Sequence, residues 1–274
     1  MKIKKGVFAK GKPTKGGINM GFTDALVWCL DTERKMNDRS GIYGFTQRTL
    51  AYNSNRIEGS TLNEDQTAAL FEEGFLPPAE DAYKAKDIEE MNGHFLMFNH
   101  MLTTIGEPLS EELVKAFHYE LKAGVFEDRA NGYAIGDYKK RPNFVGNIKT
   151  AMPEDVGFQM SALVEWYHST KDKNLKTIAA LHAKYESIHP FQDGNGRTGR
   201  IIMFRECLKN NIVPFIVQND NRSVYITALR LAQTEEDYAK LVGYFETEQA
   251  AYQKQCELFC VEARYKECVL DKED

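Results

Sequence analysis

Apolar residues recur every three to four positions through most of this chain from about Asp81 onward, and that period commits it to helices. Ile88, Met91, Phe95, Phe98 and Leu102 make one stripe; Ile178, Leu181, Tyr185 and Ile188 make another. Ser110-Glu-Glu ahead of Leu113 and Val114 reads as a helix start with acidic residues in its first turn. Pro153-Glu-Asp opens a helix to about Tyr167, with Val156, Met160, Leu163 and Trp166 on one face. One last long helix is predicted from about Glu235 to Glu267, its apolar positions being Tyr238, Leu241, Phe245, Tyr252, Cys256 and Phe259. Strand signals are few. The best lies at Lys140–Gly146, where Tyr138, Phe144 and Val145 sit among glycines and a proline, as a short hairpin would require. The expected fold is all-α with a small β-flap.

Composition sets permissive bounds. The 274 residues suffice for one large domain with extensions, and 27% charged with 42% hydrophobic residues is ordinary globular usage. A net charge of −5 gives no general attraction for a phosphate backbone, and no DNA-binding module is recognisable. Residues 1–20 are basic and glycine-rich without the apolar stretch of an export signal, which reads as a flexible start. No run of 18 apolar residues occurs, so no membrane span is expected. Five cysteines without framework spacing suit a reducing, cytoplasmic setting.

The helical period stops at Ile188 and resumes at about Gly196, with Ile201, Phe204 and Leu208 on one face. Between and just beyond lies His189-Pro-Phe-Gln-Asp-Gly-Asn-Gly-Arg-Thr-Gly-Arg200. Its glycines fall at the N-terminus of a helix, where unpaired amides and the helix dipole hold anions. Gly194 and Gly196 permit close backbone approach and positive φ. Arg197 and Arg200, three apart, project from one side of the first turn, and arginine forks match phosphate oxygens. Asp193 beside them would repel a phosphate unless a cation intervened, which points to Mg²⁺ held jointly by carboxylate and phosphates. His189 supplies an imidazole, the commonest general base.

Rival motifs fail. A P-loop needs Gly-Lys-Ser/Thr, which is absent here. An EF-hand starting at Asp193 would put Arg197 at a ligand position, Thr198 at the obligatory glycine and Phe204 at the final glutamate. A plain capped turn leaves too many polar side chains without a purpose.

The segment resembles the signature His-Pro-Phe-x-[Asp/Glu]-Gly-Asn-Gly-Arg-x-x-Arg of the Fic family at every specified position. The likeness extends upstream through Leu181, His182 and Tyr185 and downstream to Arg222, Tyr225 and Leu229, about residues 80–232. It implies a Fic helical bundle that transfers AMP from ATP, with Mg²⁺ or Mn²⁺, to a Ser, Thr or Tyr hydroxyl of a protein target, the chain itself included. By that resemblance His189 is the base, Asp193 the metal ligand, and Asn195 with the Gly194 and Gly196 amides the α-phosphate cradle. Arg197 would meet the β-phosphate and Arg200 the γ-phosphate; Phe191 would be the loop's buried anchor and Tyr225 would lie on the adenine side. Residues 136–148 look like the family's flap, with Tyr138, Lys140, Phe144 and Val145 facing a target by strand addition, although Lys139 departs from the commoner arginine.

Asn53–Gly59 resembles the family's N-terminal inhibitory helix motif. Ser54 and Glu58 are four apart and share a face, and Gly59 suits the helix end. The resemblance implies that Glu58 pairs with Arg200 and denies it to the γ-phosphate. Removal of AMP from a modified target, with Glu58 positioning a water, a different nucleotide donor, and a catalytically silent nucleotide-binding regulator stay open as alternatives. The expected organisation is an extension at 1–45, the inhibitory helix region at 46–79, the catalytic core at 80–232 and a helical extension at 233–274. Self-association is a further option.

Other features read as ordinary. His182 suits a packed structural histidine; His94, His100, His118 and His168 lack ligand spacing and read as surface or core-edge residues. Lys139-Lys-Arg141 reads as a solvated turn, and Cys256, Cys260 and Cys268 lack a fourth zinc ligand.

Overall fold

The computed structural model describes residues 21–79, 82–145 and 148–270. The basic segment 1–20 lies outside the described residues. Helices α1 (Phe22–Met36), α2 (Ile42–Ile57), α3 (Glu64–Glu73), α4 (Ala85–Thr103), α5 (Glu111–Lys122) and α6 (Phe126–Ala130) precede two short strands, β1 (Phe144–Val145) and β2 (Ile148–Lys149). Helices α7 (Pro153–Ser169), α8 (Leu175–Ile188), α9 (Asn195–Lys209), α10 (Arg222–Glu235), α11 (Ala239–Leu258) and α12 (Val261–Tyr265) follow. The fold is all-α, as the periodicity predicts.

Helix starts follow the local chemistry. The Ser110 hydroxyl accepts from the Leu113 amide at 3.2 Å to open α5, and Pro153 occupies the first turn of α7. The two strands pair antiparallel, Phe144 opposite Lys149 and Val145 opposite Ile148. The turn between them, 146–147, lies outside the described residues, so the expected hairpin is represented by this ladder alone.

Helices α8 and α9 are central. The first packs on α7, α10 and α11, the second on α2, α4 and α5, and the two pack on each other. Phe98, Phe117, Phe191 and Phe204 are fully buried in the core they share with α1, α2, α4 and α5. Burial of such a side chain contributes about 1.5–3 kcal/mol.

Two expectations change. Helix α1 was not anticipated: Leu26, Cys29 and Leu30 belong to the main core, so this part of the N-terminal extension is integral. The single C-terminal helix is broken at Cys260, which adopts φ 52° and ends α11. The break turns α12 back onto α1, where Trp28 and Tyr265 meet edge-on at 5.6 Å and Arg264 pairs with buried Glu33. Glu33 in turn accepts from the Tyr43 amide at 2.7 Å and so neutralises the N-terminus of α2. Among the described residues no helix is long and apolar enough to cross a membrane.

Candidate functional site

The chain leaves α8 through His189, whose left-handed φ of 51° ends the helix. Phe191 is fully buried and stacks face to face on His118 at 3.9 Å, anchoring the loop. The His118 ring also ties two segments together. Its Nδ1 accepts from the Gly136 amide at 3.0 Å, and its Nε2, 3.1 Å from the Asp193 carbonyl, is then the donor. Burial pushes His118 down to about 3, so the ring stays neutral and this tautomer is kept. It is no surface residue, nor is fully buried His94, which burial pushes down to about 3 as well.

Gly194 has φ 83°, the positive value expected of it, and starts α9. Gly196 is needed for space instead: a Cβ there would collide with Glu58 Oε1. Asn195 is 1% exposed, and its side-chain oxygen and nitrogen both bond the Phe191 backbone at 2.8 Å. Its side-chain amide therefore closes the loop.

Arg200 is buried and held by α2. Its Nε donates to Ser54 Oγ at 2.8 Å, and its Nη2 donates to the Ser54 carbonyl at 2.9 Å and to Glu58 Oε1 at 2.7 Å. Glu58 caps the C-terminus of α2 and Gly59 follows at φ 95°, so the helix ends where the carboxylate must reach forward. About one-third of the Glu58 side chain is exposed, at 34%. Glu58 and the arginine it was expected to meet are thus in contact, and Ser54 holds the same guanidinium.

Arg197 is 2% exposed and bonds Glu90 Oε2 at 2.5 Å, Asp193 Oδ1 at 3.3 Å and Asn55 Oδ1 at 3.3 Å. Asp193, Glu90 and Asp128 offer carboxylate oxygens within 4.8 Å of one another. Their centre holds the buried ammonium of Lys122, which contacts Glu90, Asp128 Oδ2 at 2.5 Å and Asp193 Oδ2 at 2.9 Å. Although burial opposes it, the charges of Arg197 and Lys122 hold the Asp193 carboxyl far below the usual range. Neither Lys122 nor Glu90 was visible as a site residue in the sequence.

A cleft of about 900 Å³ opens onto this network, lined by Glu58, Gly59, Lys86, Glu90, Asp193 and Arg197 among others. Of the three carboxylates, Asp193 is the one that could hold a divalent ion. Lys122 engages all three, but Glu90 and Asp128 are buried, whereas Asp193 is one-third exposed and its outer partner, Lys86 at 3.3 Å, is itself 31% exposed. One carboxylate plus substrate phosphates is the usual Mg²⁺ environment.

The remaining expectations divide. Tyr225, expected on the adenine side, is 1% exposed and its hydroxyl lies 2.6 Å from His182 Nε2. Tyr138 packs near Phe191 at 5.9 Å and donates to Glu111 at 2.7 Å; Lys140 is exposed, and Phe144 is 65% exposed. Val145 belongs to β1 by its backbone, and its side chain lies outside the described part. Lys139 is not solvated but 2% exposed: its ammonium donates to Asn143 Oδ1 at 2.7 Å, Thr150 Oγ1 at 2.8 Å and the Ile188 carbonyl at 3.3 Å. Burial pushes it down to about 8. It ties the segment around β1 to the residue preceding His189.

Fold and site define a helical protein with an anion-seeking helix N-terminus that one of its own carboxylates faces. Residues 108–207 match the model of the Fic/DOC family. A protein of Nematostella vectensis named protein adenylyltransferase Fic is 29% identical over 184 residues, 66% of this chain and 42% of that protein. Protein adenylyltransferase fic-1 of Caenorhabditis elegans is 25% identical over 185 residues, 66% of this chain and 35% of its own length. The matched region thus spans less than half of these relatives. The crystal structure of a Fic domain containing signaling protein from Bacteroides thetaiotaomicron superposes with a TM-score of 0.68 at 22% identity, covering 86% of this chain and 97% of that one. Residues 108–207 of the chain thus match the Fic/DOC family, and about two thirds of the chain is similar to protein adenylyltransferases.

Proposed function

We propose that the protein is a protein adenylyltransferase restrained by Glu58. It moves AMP from ATP to a Ser, Thr or Tyr hydroxyl of a protein. The observation that carries this reading is the seat of the Glu58 carboxylate, paired with Arg200 at the N-terminus of α9, where a terminal phosphate would bind.

In this reading the first amides of α9, with Gly196 kept bare, receive the α-phosphate. Arg197 lies on the β-phosphate side, and Arg200 serves the γ-phosphate once Glu58 withdraws. Asp193 holds Mg²⁺ or Mn²⁺, which when bound neutralises phosphate charge. The target hydroxyl gives its proton to His189 as its oxygen bonds to the α-phosphorus. The bond from phosphorus to the β-phosphate's bridging oxygen breaks, and pyrophosphate leaves. Positioning and charge neutralisation supply most of such catalysis. Tyr138, Lys140, Phe144 and Val145 belong to the segment that would hold the target, and exposed Phe144 supports that placement.

Intact-mass spectrometry of the wild type and of Glu58→Gly, each incubated with one nucleoside triphosphate and Mg²⁺ or Mn²⁺, tests the proposal. One added AMP group in the variant with ATP is expected. Another added group would replace the donor, and no added group on chain or partner proteins would overturn the reading.

A further inference from the structure

Glu186 has no part in the roles assigned so far, yet it is a buried carboxylate beside the proposed base. It lies one turn before His189 on α8, 7% exposed, with Oε2 3.7 Å from His189 Nδ1. That is just beyond hydrogen-bonding length. Both sides are nonetheless incomplete: Glu186 Oε1 and His189 Nδ1 are each buried without a hydrogen-bond partner. With Oε2 3.7 Å away, a small side-chain movement brings the Glu186 carboxylate within bonding distance of the orphaned ring nitrogen.

The surroundings leave Glu186 to that partner. Among the described residues, His189 is its only ion-pair neighbour. His182 on the same helix has its Nε2 on Tyr225 and leaves its Nδ1 without a partner, but outside ion-pair distance of Glu186, and Arg200 is engaged by Ser54 and Glu58. Lys139 points at the Ile188 carbonyl rather than at the carboxylate. Gly199 on α9 clears the space: a Cβ there would come within 2.6 Å of Glu186 Oε1 and 3.1 Å of His182 Cε1. Burial alone would raise the Glu186 carboxyl, but the nearby His189, with His182 and Arg200, holds it below the ordinary range.

We infer that Glu186 is a positioning residue for His189. Its carboxylate accepts the Nδ1 proton, which fixes the tautomer that leaves Nε2 with a lone pair for the incoming hydroxyl. When Nε2 takes that proton, the imidazolium stays paired with the carboxylate, and Glu186 itself is never protonated. The same division of labour orients the histidine of hydrolytic triads. This inference rests on His189 being the base of the proposed transfer.

Ring-¹⁵N NMR of the full chain tests it, with His189 assigned by difference from His189→Asn. The neutral ring should be Nδ1-protonated in the wild type and become a tautomer mixture in Glu186→Ala. In the Glu58→Gly background, Glu186→Ala should lower kcat by about 10–100-fold with the KM for ATP changed less than about twofold. Glu186→Gln, which keeps size and an acceptor oxygen but not charge, should fold normally and lose kcat to an intermediate degree. An unchanged tautomer in both variants, or an unchanged kcat, overturns the inference. Should Glu58→Gly transfer no nucleotide at all, the proposed function fails, and the NMR result still decides whether Glu186 orients the ring.

Discussion

Glu58 and Gly196 occupy one space: a Cβ on residue 196 would collide with Glu58 Oε1, the oxygen that lies 2.7 Å from Arg200 Nη2. The bare glycine is where α9 admits an anion, and in this structure the anion is the protein's own. Glu33 plays the corresponding part at α2, where a Cβ on Gly41 would strike its carboxylate. Both follow from helix electrostatics. The difference is access: Glu33 is 1% exposed at its side chain and fixed, whereas Glu58 is 34% exposed and faces the cleft.

Gly196→Ala separates the two uses of that space. The methyl group expels Glu58 but also blocks the phosphate. In labelling assays with α-labelled ATP, Glu58→Gly/Gly196→Ala should transfer at least about tenfold more slowly than Glu58→Gly alone. Equal rates would mean that no phosphate comes close to residue 196.

Ser54→Ala removes a buried acceptor from the Arg200 Nε. Thermal or urea unfolding should register a loss of about 1–3 kcal/mol. Because Ser54 also fixes the guanidinium toward Glu58, basal AMP transfer should rise modestly. A neutral effect on both would place the restraint elsewhere.

Lys122→Ala leaves Glu90, Asp128 and Asp193 facing one another within 4.8 Å. Loss of a buried partner costs about 3–5 kcal/mol. Mn²⁺ should then raise the melting temperature of the variant far more than that of the wild type, because three carboxylates freed of the central Lys122 ammonium make a cation site. Similar Mn²⁺ responses would contradict the arrangement.

Three buried histidines give the protein a pH profile. Burial pushes His94 and His118 down to about 3 and His182 to about 4, against about 6.5 in the unfolded chain. Below pH 6.5 the unfolded state binds more protons than the folded one, so stability falls as pH falls from 6.5 toward 4. Each full proton of difference contributes about 1.4 kcal/mol per pH unit. The lowered carboxyls of Asp193, Glu90 and Glu186 act in the same direction only below about pH 4, the unfolded carboxyl range. Melting temperatures measured from pH 7 to pH 4.5 should drop steadily; a flat profile contradicts the burial of neutral rings.

Helices α4, α5, α7, α8 and α9 and the loop at 189–200 were legible because each carries a local signature, a 3.6-residue period or glycines and charges at fixed offsets. Lys122, His118 and Lys139 carry none. Lys122 meets Asp193 across 71 positions, and His118 meets the same residue across 75, so their value exists only once α5 packs under the loop. Lys139 reads as a solvated cation beside Lys140 and Arg141, and only Asn143, Thr150 and Ile188 reveal it as buried. Asn195 and Tyr225 are expected near the ligand by resemblance alone, and nothing in the sequence signals their contacts with Phe191 and His182. The break at Cys260 lacked a signal as well, since a cysteine is no usual carrier of a positive φ.

The competition for Arg200 is the centre of this account, and one measurement reaches it most directly: the initial rate of AMP incorporation from α-labelled ATP by wild type, Glu58→Gly and Glu58→Gly/His189→Ala. Release of a charge-assisted bond of about 1.5–3 kcal/mol predicts a rate about 10–100-fold above wild type for Glu58→Gly, and no incorporation for the double variant. A Glu58→Gly rate no higher than wild type would contradict it.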